Sequence, residues 1–182
     1  RADEHGIGRP MSALIDAIRD ILRPELCSSG PFVLSESGAS STCLPVELEK
    51  ARKGVLMTPD QVAVHGESAS HRLFPLFAEA PGVAVMCDYI LFCSESATSP
   101  NSVFILLCEL KSTNVNGSRR QIENGALLAN YIVEMAAYHT GIAKPEVLLR
   151  GVVFNTQVRA VPAGDLRRQL CSYAPLPHPR IP

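Results

Sequence analysis

Three charged side chains stand where their neighbours leave little room for charge. Asp88 lies inside the apolar run Val83-Ala84-Val85-Met86-Cys87-Asp88-Tyr89-Ile90-Leu91-Phe92. Glu109-x-Lys111 closes a second run, Val103-Phe104-Ile105-Leu106-Leu107-Cys108-Glu109-Leu110-Lys111. Both runs are short and rich in branched and aromatic residues, the pattern of buried strands. Side chains alternate along a strand, so Glu109 and Lys111 share one face while Leu110 takes the other. If the runs pair as a hairpin, Asp88 comes within cross-strand reach of Glu109. Carboxylates that close repel unless something positive lies between them, and burying one unpartnered is costly. A hard divalent cation suits the pair. Mg²⁺, with Mn²⁺ as the alternative, takes carboxylate oxygens and keeps waters of its own. Lys111 would then stand beside a metal-bound water, able to orient it or take its proton as it attacks phosphorus. The plain alternative is a solvated strand end, where Glu109 and Lys111 make a surface ion pair worth at most about 1 kcal/mol.

An acid on one strand, Glu109-x-Lys111 on the next and a helical pattern directly afterwards resemble the core motif of the PD-(D/E)xK nuclease superfamily. The resemblance covers residues 83 to 155, and Cys87 stands where the family name places proline. It implies an α/β, restriction-endonuclease-like core with a mixed central β-sheet flanked by helices. The activity it implies is metal-dependent hydrolysis of phosphodiester bonds, in DNA more often than RNA. Asp88 and Glu109 match the metal ligands and Lys111 the catalytic lysine. The resemblance further implies a polar residue on the following helix facing the site. Gln121 is the best match there, with Arg119, Arg120 and Tyr131 as further candidates, and Arg119 and Arg120 are the expected nucleic-acid contacts. An exonuclease-type Q-x-x-x-Y pattern fails, because position 125 is Gly. A supporting glutamate on an early helix is also implied, for which Glu47 and Glu49 are both available.

The elements that must hold these residues can be read from periodicity. Ser94 to Ser102, polar and containing Pro100, is the connection expected between two hairpin strands. A long helix is expected from about 119 to 139, its apolar, small-residue face carrying Ile122, Ala126, Ala129, Val133, Ala136 and Ala137. Ser118 and Gln121 form an S-x-x-Q capping box at its start, a role that competes with a site role for Gln121. Gly141 and Pro145 end it. Val147 to Asn155 then reads as a third buried strand, which a crossover helix would place parallel to the second.

Earlier in the chain, residues 11–22 carry apolar side chains at spacings of three and four, the pattern of an amphipathic helix, bounded by Pro10 and Pro24. The Ser- and Gly-rich stretch from Cys27 to Cys43 reads as a loop, and Pro45 leads a second helical pattern over Val46 to Arg52. Gln61 to Glu67 reads as a short strand and Leu73 to Phe77 as an apolar loop or edge. His65-x-Glu67 matches half of the zinc-deaminase signature, but the accompanying P-C-x-x-C is absent, so with His71 these residues read as an exposed polar face.

The chain has 182 residues, 46% hydrophobic and 19% charged, enough for one domain. Within it a nuclease-like core is expected over about 46–158, the amphipathic helix over 11–22 and a Pro-rich tail over 174–182. No apolar stretch reaches the length of a bilayer span and Arg1 to Arg9 carries no signal-peptide core, so a cytoplasmic location is expected without membrane contact. The six cysteines show no C-x-x-C spacing, and buried thiols are expected. A net charge of −1 is low for a chain that holds nucleic acid by charge alone. Binding therefore needs a local basic patch or a partner subunit, and cutting both strands of a duplex needs a homodimer or two encounters. The competing function is a catalytically inactive nucleic-acid or protein-binding module on the same fold.

Overall fold

The computed structural model describes residues 12–36, 42–48, 54–59, 82, 85–94, 102–112 and 114–155. The two charged runs form strands β5 (Tyr89–Ser94) and β6 (Ser102–Lys111), antiparallel, with Tyr89 opposite Cys108 and Ser94 opposite Val103. β6 is followed by helix α2 (Ser118–Thr140) and strand β7 (Glu146–Asn155), which returns parallel to β6 from Ser102 opposite Glu146 to Lys111 opposite Asn155. On the far side β5 pairs with β4 (Gly54–Met57), and β4 with the short β1 (Cys27–Ser28). The result is an α/β fold whose described residues form a five-stranded mixed sheet in the order β1-β4-β5-β6-β7.

Alternation along the strands divides the core in two. Ile90 and Phe92 of β5 and Val103, Ile105 and Leu107 of β6 face one side. There they pack under α2 and under helix α1 (Ser12–Ile21), whose Leu14, Ile15 and Ile18 are buried. Tyr89, Leu91, Cys108 and Leu110 face the other side. A two-stranded ribbon covers them, made of β2 (Val33–Leu34) and β3 (Val46–Glu47), through Phe32, Leu34, Val46 and Leu48. Helices thus cover one face of the sheet and a β-ribbon the other.

Four expectations are corrected. Val46 to Arg52 does not begin a helix: residues 46–47 are strand, with Val46 and Leu48 half-buried and Glu47 exposed, the period of two that sheet pairing selects. The stretch from Cys27 to Cys43 is not all loop, since β1 and β2 lie in it. β7 is not buried: among the described residues it lies at the edge of the sheet, half-exposed along its length. The capping box fails because Ser118 is already the first helical residue. Gly117 takes the cap in the left-handed region, at φ 85°, and makes no side-chain cap bond. The strand over Gln61 to Glu67, the stretch Leu73 to Phe77, Glu49, His65, His71, Cys171 and the tail lie outside the described residues.

Candidate metal centre at the β5–β6 strand end

The hairpin register brings the first residue before β5 beside the end of β6. The amide of Asp88 donates to Glu109 Oε2 at 3.2 Å, and the amide of Leu110 donates to Asp88 Oδ2 at 2.6 Å. Each carboxylate therefore takes a backbone N–H that a longer β5 would have left for a carbonyl. These reciprocal bonds hold two acids together against their mutual repulsion. By alternation Glu109 and Lys111 lie on the face of Ile105 and Leu107, the helical side of the sheet.

Glu109 is completely buried, Asp88 half-buried, and the Lys111 side chain 24% exposed. Lys111 Nζ is ion-paired with Glu109 Oε1. Burial pushes the Glu109 carboxyl up to about 6; Lys111 pulls it back and the neighbouring Asp88 adds to the rise. A carboxylate kept in the sheet interior at this cost, with a lysine on one oxygen and a backbone N–H on the other, is a candidate ligand for a cation.

The donors are two carboxylates, hard oxygen ligands of the kind that Mg²⁺ and Mn²⁺ accept. Among the described residues no three Asp, Glu, His or Cys side chains gather into a metal-holding group. Two acids fit an ion that completes its shell with water and substrate oxygens, as Mg²⁺ does, and do not fit an all-protein cage.

The first turns of α2 pack against the segment that leads into Asp88. Gln121 Nε2 donates to the Met86 carbonyl at 3.1 Å, so Gln121 lies next to the site but is spent on the backbone two residues before Asp88. Asn124 Nδ2 donates to the carbonyls of Gly82 and Val85, at 2.8 and 2.7 Å. Gly125 sits on Cys87, where a Cβ would approach the Cys87 Sγ to 2.5 Å. The Asn124 bonds and the close packing of Gly125 were not expected from the sequence. For Gly125 a signal was present, since a glycine inside a helix usually marks a close approach. Asn124 carried none.

Behind the strand end, the Tyr89 hydroxyl donates to the Ser35 carbonyl at 2.6 Å, and Ser112 Oγ donates to Glu36 Oε2 at 2.8 Å. The segment after β2 is thereby tied to both Tyr89 and Ser112, the residues that follow Asp88 and Lys111. Of the other candidates, Arg119 is exposed and bonded to Glu123 at 2.8 Å, while the Arg120 guanidinium lies over Gly82. Tyr131 is 60% exposed and Glu47 projects from the ribbon on the opposite face, so neither joins the acids.

No model of a known protein family matches the chain, and neither the curated proteins nor the solved structures compared with it give a match. Among the described residues no helix is long and apolar enough to cross a membrane.

Proposed function

We propose that the chain is a metal-dependent nuclease of the PD-(D/E)xK type, acting on phosphodiester bonds in DNA. The observation that carries this reading is the convergence of Asp88, Glu109 and Lys111 at one strand end, with Glu109 fully buried and ion-paired with Lys111. The element order supports it: a hairpin bearing the acids, then a crossover helix, then a parallel strand, in the manner of a restriction-endonuclease-like core.

Asp88 and Glu109 would hold the divalent cation. Once bound, that ion polarises the phosphate and offsets the charge developing on its oxygens. Glu109 then no longer needs the Lys111 ammonium for neutrality. Lys111 is left to hold the attacking water by hydrogen bonding and to face the phosphate as a positive group. Gln121 and Asn124 act through the backbone, holding the carbonyls of Gly82, Val85 and Met86 so that Asp88 meets Glu109. Arg119 and Arg120, at the exposed start of α2, supply positive charge for the nucleic-acid backbone.

The test is cleavage of circular DNA, linear DNA and RNA by purified protein with Mg²⁺ or Mn²⁺, beside Lys111→Ala and Asp88→Asn variants of verified fold. Metal-dependent cutting lost in both variants is the expected result. Absence of cutting on every substrate, with no metal binding by calorimetry, defeats the catalytic reading and leaves a binding module.

A further inference from the structure

Helix α2 begins with bonding capacity that it does not use. The first amides of an α-helix have no partner within it, and a side chain at the cap ordinarily takes one of them. Here the cap is Gly117, which has no side chain to offer. Ser118 donates its amide to the Val115 carbonyl at 3.3 Å, and Gln121 donates to the Gly117 carbonyl at 3.2 Å. Among the described residues no acceptor meets the amides of Arg119 and Arg120, which lie between them. Gly117, Arg119 and Arg120 are exposed, and a Cβ at Gly117 would meet nothing within 4 Å. Two free amides thus face open space at the positive end of a 23-residue helix dipole.

Ser118 adds a second donor to the same end. It is 3% exposed, yet its Oγ has no hydrogen-bond partner among the described residues. Buried hydroxyls are normally satisfied, so one that is not calls for a partner from outside the chain. Its direction follows from the helix phase. Ser118 belongs to the buried stripe of α2 that also carries Ile122 and Gly125. Ile122 packs on Gly151 of β7, the residue opposite Leu107 of β6. Because α2 runs back over strands that advance toward its start, one turn before Ile122, about 5.4 Å, matches two residues further along β6, about 6.6 Å. Ser118 therefore lies above the pair Glu109 and Val153, on the sheet face that carries Glu109 and Lys111. Val153 is 38% exposed, so that end of the face is open.

From this we infer that the start of α2 binds a phosphate group of a nucleic-acid backbone, held by the amides of Arg119 and Arg120 and by the Ser118 hydroxyl. Amides at a helix start suit phosphate oxygens without help from a side-chain cation. The guanidinium of Arg119 is engaged by Glu123 and that of Arg120 lies over Gly82, and neither is required. Glu109 and Lys111, ion-paired beneath Ser118, offset each other and so present little net charge to an anion. That the phosphate belongs to a nucleic acid rests on the nuclease reading; that an anion binds there does not.

The experiment is a backbone-amide NMR titration of the full chain in EDTA, for wild type and Ser118→Ala. The probes are inorganic phosphate and a thymidine dinucleotide with one internal phosphodiester. Saturable downfield shifts of the Arg119 and Arg120 amides are expected with both probes. Ser118→Ala should bind each about tenfold more weakly, the worth of one hydrogen bond to a charged group. Without ligand that variant should melt no lower than wild type, since it loses a hydroxyl that bonds nothing. Absence of shifts at both amides overturns the inference. So do shifts that Ser118→Ala leaves unchanged, which mark general attraction to positive charge, and a lower-melting variant, whose hydroxyl would then bond within the fold. Binding of inorganic phosphate alone overturns the assignment to a nucleic-acid backbone. No divalent ion is present, so a failed cutting assay leaves these results standing, and their failure leaves the metal centre untouched.

Discussion

Replacing Glu109 by Gln is expected to make the protein more stable at pH 8. In the fold the carboxyl is pushed up to about 6 from its ordinary 4.5, chiefly by burial. Below about pH 4.5 both folded and unfolded chains hold the proton, and the site costs nothing. Between about 4.5 and 6 the unfolded chain releases its proton first, so stability falls as pH rises. Above 6 the loss is complete. A difference of 1.5 units, from 4.5 to about 6, corresponds to about 2 kcal/mol. Gln resembles the protonated form, and Lys111, 24% exposed, can turn to water. In EDTA, urea unfolding should therefore show Glu109→Gln more stable by about 2 kcal/mol at pH 8 and equal to wild type near pH 4. Adding Mg²⁺ at pH 8 should raise wild-type stability by mass action and leave the variant unchanged. A variant less stable than wild type, by an amount that does not change with pH, would refute this reasoning. Glu109 and Lys111 would then be an ordinary structural pair.

Lys111→Ala should move stability the other way. It strips the buried carboxylate of its ammonium and should cost about 1–3 kcal/mol at pH 8, largely recovered at pH 5 where Glu109 takes a proton, as read by the same urea titrations. Gly125→Ala drives a Cβ against the fully buried Cys87 Sγ and should cost about 1–3 kcal/mol; adding Cys87→Ala should restore most of it, and equal losses in the single and double variants would deny the clash. Gln121→Ala removes the bond to the Met86 carbonyl, at a cost of about 1 kcal/mol. Calorimetric Mg²⁺ affinity should also fall in that variant, whereas unchanged affinity would show that Gln121 does not position Asp88.

The acids and the strands that carry them were legible because a charge inside an apolar run conflicts with the hydrophobic pattern, and the fold resolves that conflict in place. The alternation that put Glu109 and Lys111 on one face, the hairpin and the parallel return of β7 all follow from local periodicity. β4 was not legible: Gly54-Val55-Leu56-Met57 is buried on both faces and shows no alternation to betray it. For Val46-Glu47-Leu48 both periods fit so short a stretch, and tertiary pairing with β2 decided between them. The roles of Gln121 and Ser118 depended on a single residue of helix phase. Once Gly117 took the left-handed cap, the Gln121 amide was free to reach Met86, a contact 35 positions away that no local rule contains.

The crossed bonds between Asp88 and the end of β6 have a consequence for how the sheet finds its alignment. Sliding β5 by two residues along β6 would keep every apolar side chain on its own face, so hydrophobic burial discriminates weakly against that error. The slipped hairpin would, however, part Asp88 from the Leu110 amide and Glu109 from the Asp88 amide. The charged end thus acts as a key that only one alignment turns. A chain neutralised at both positions is expected to remain as compact while populating more than one strand register.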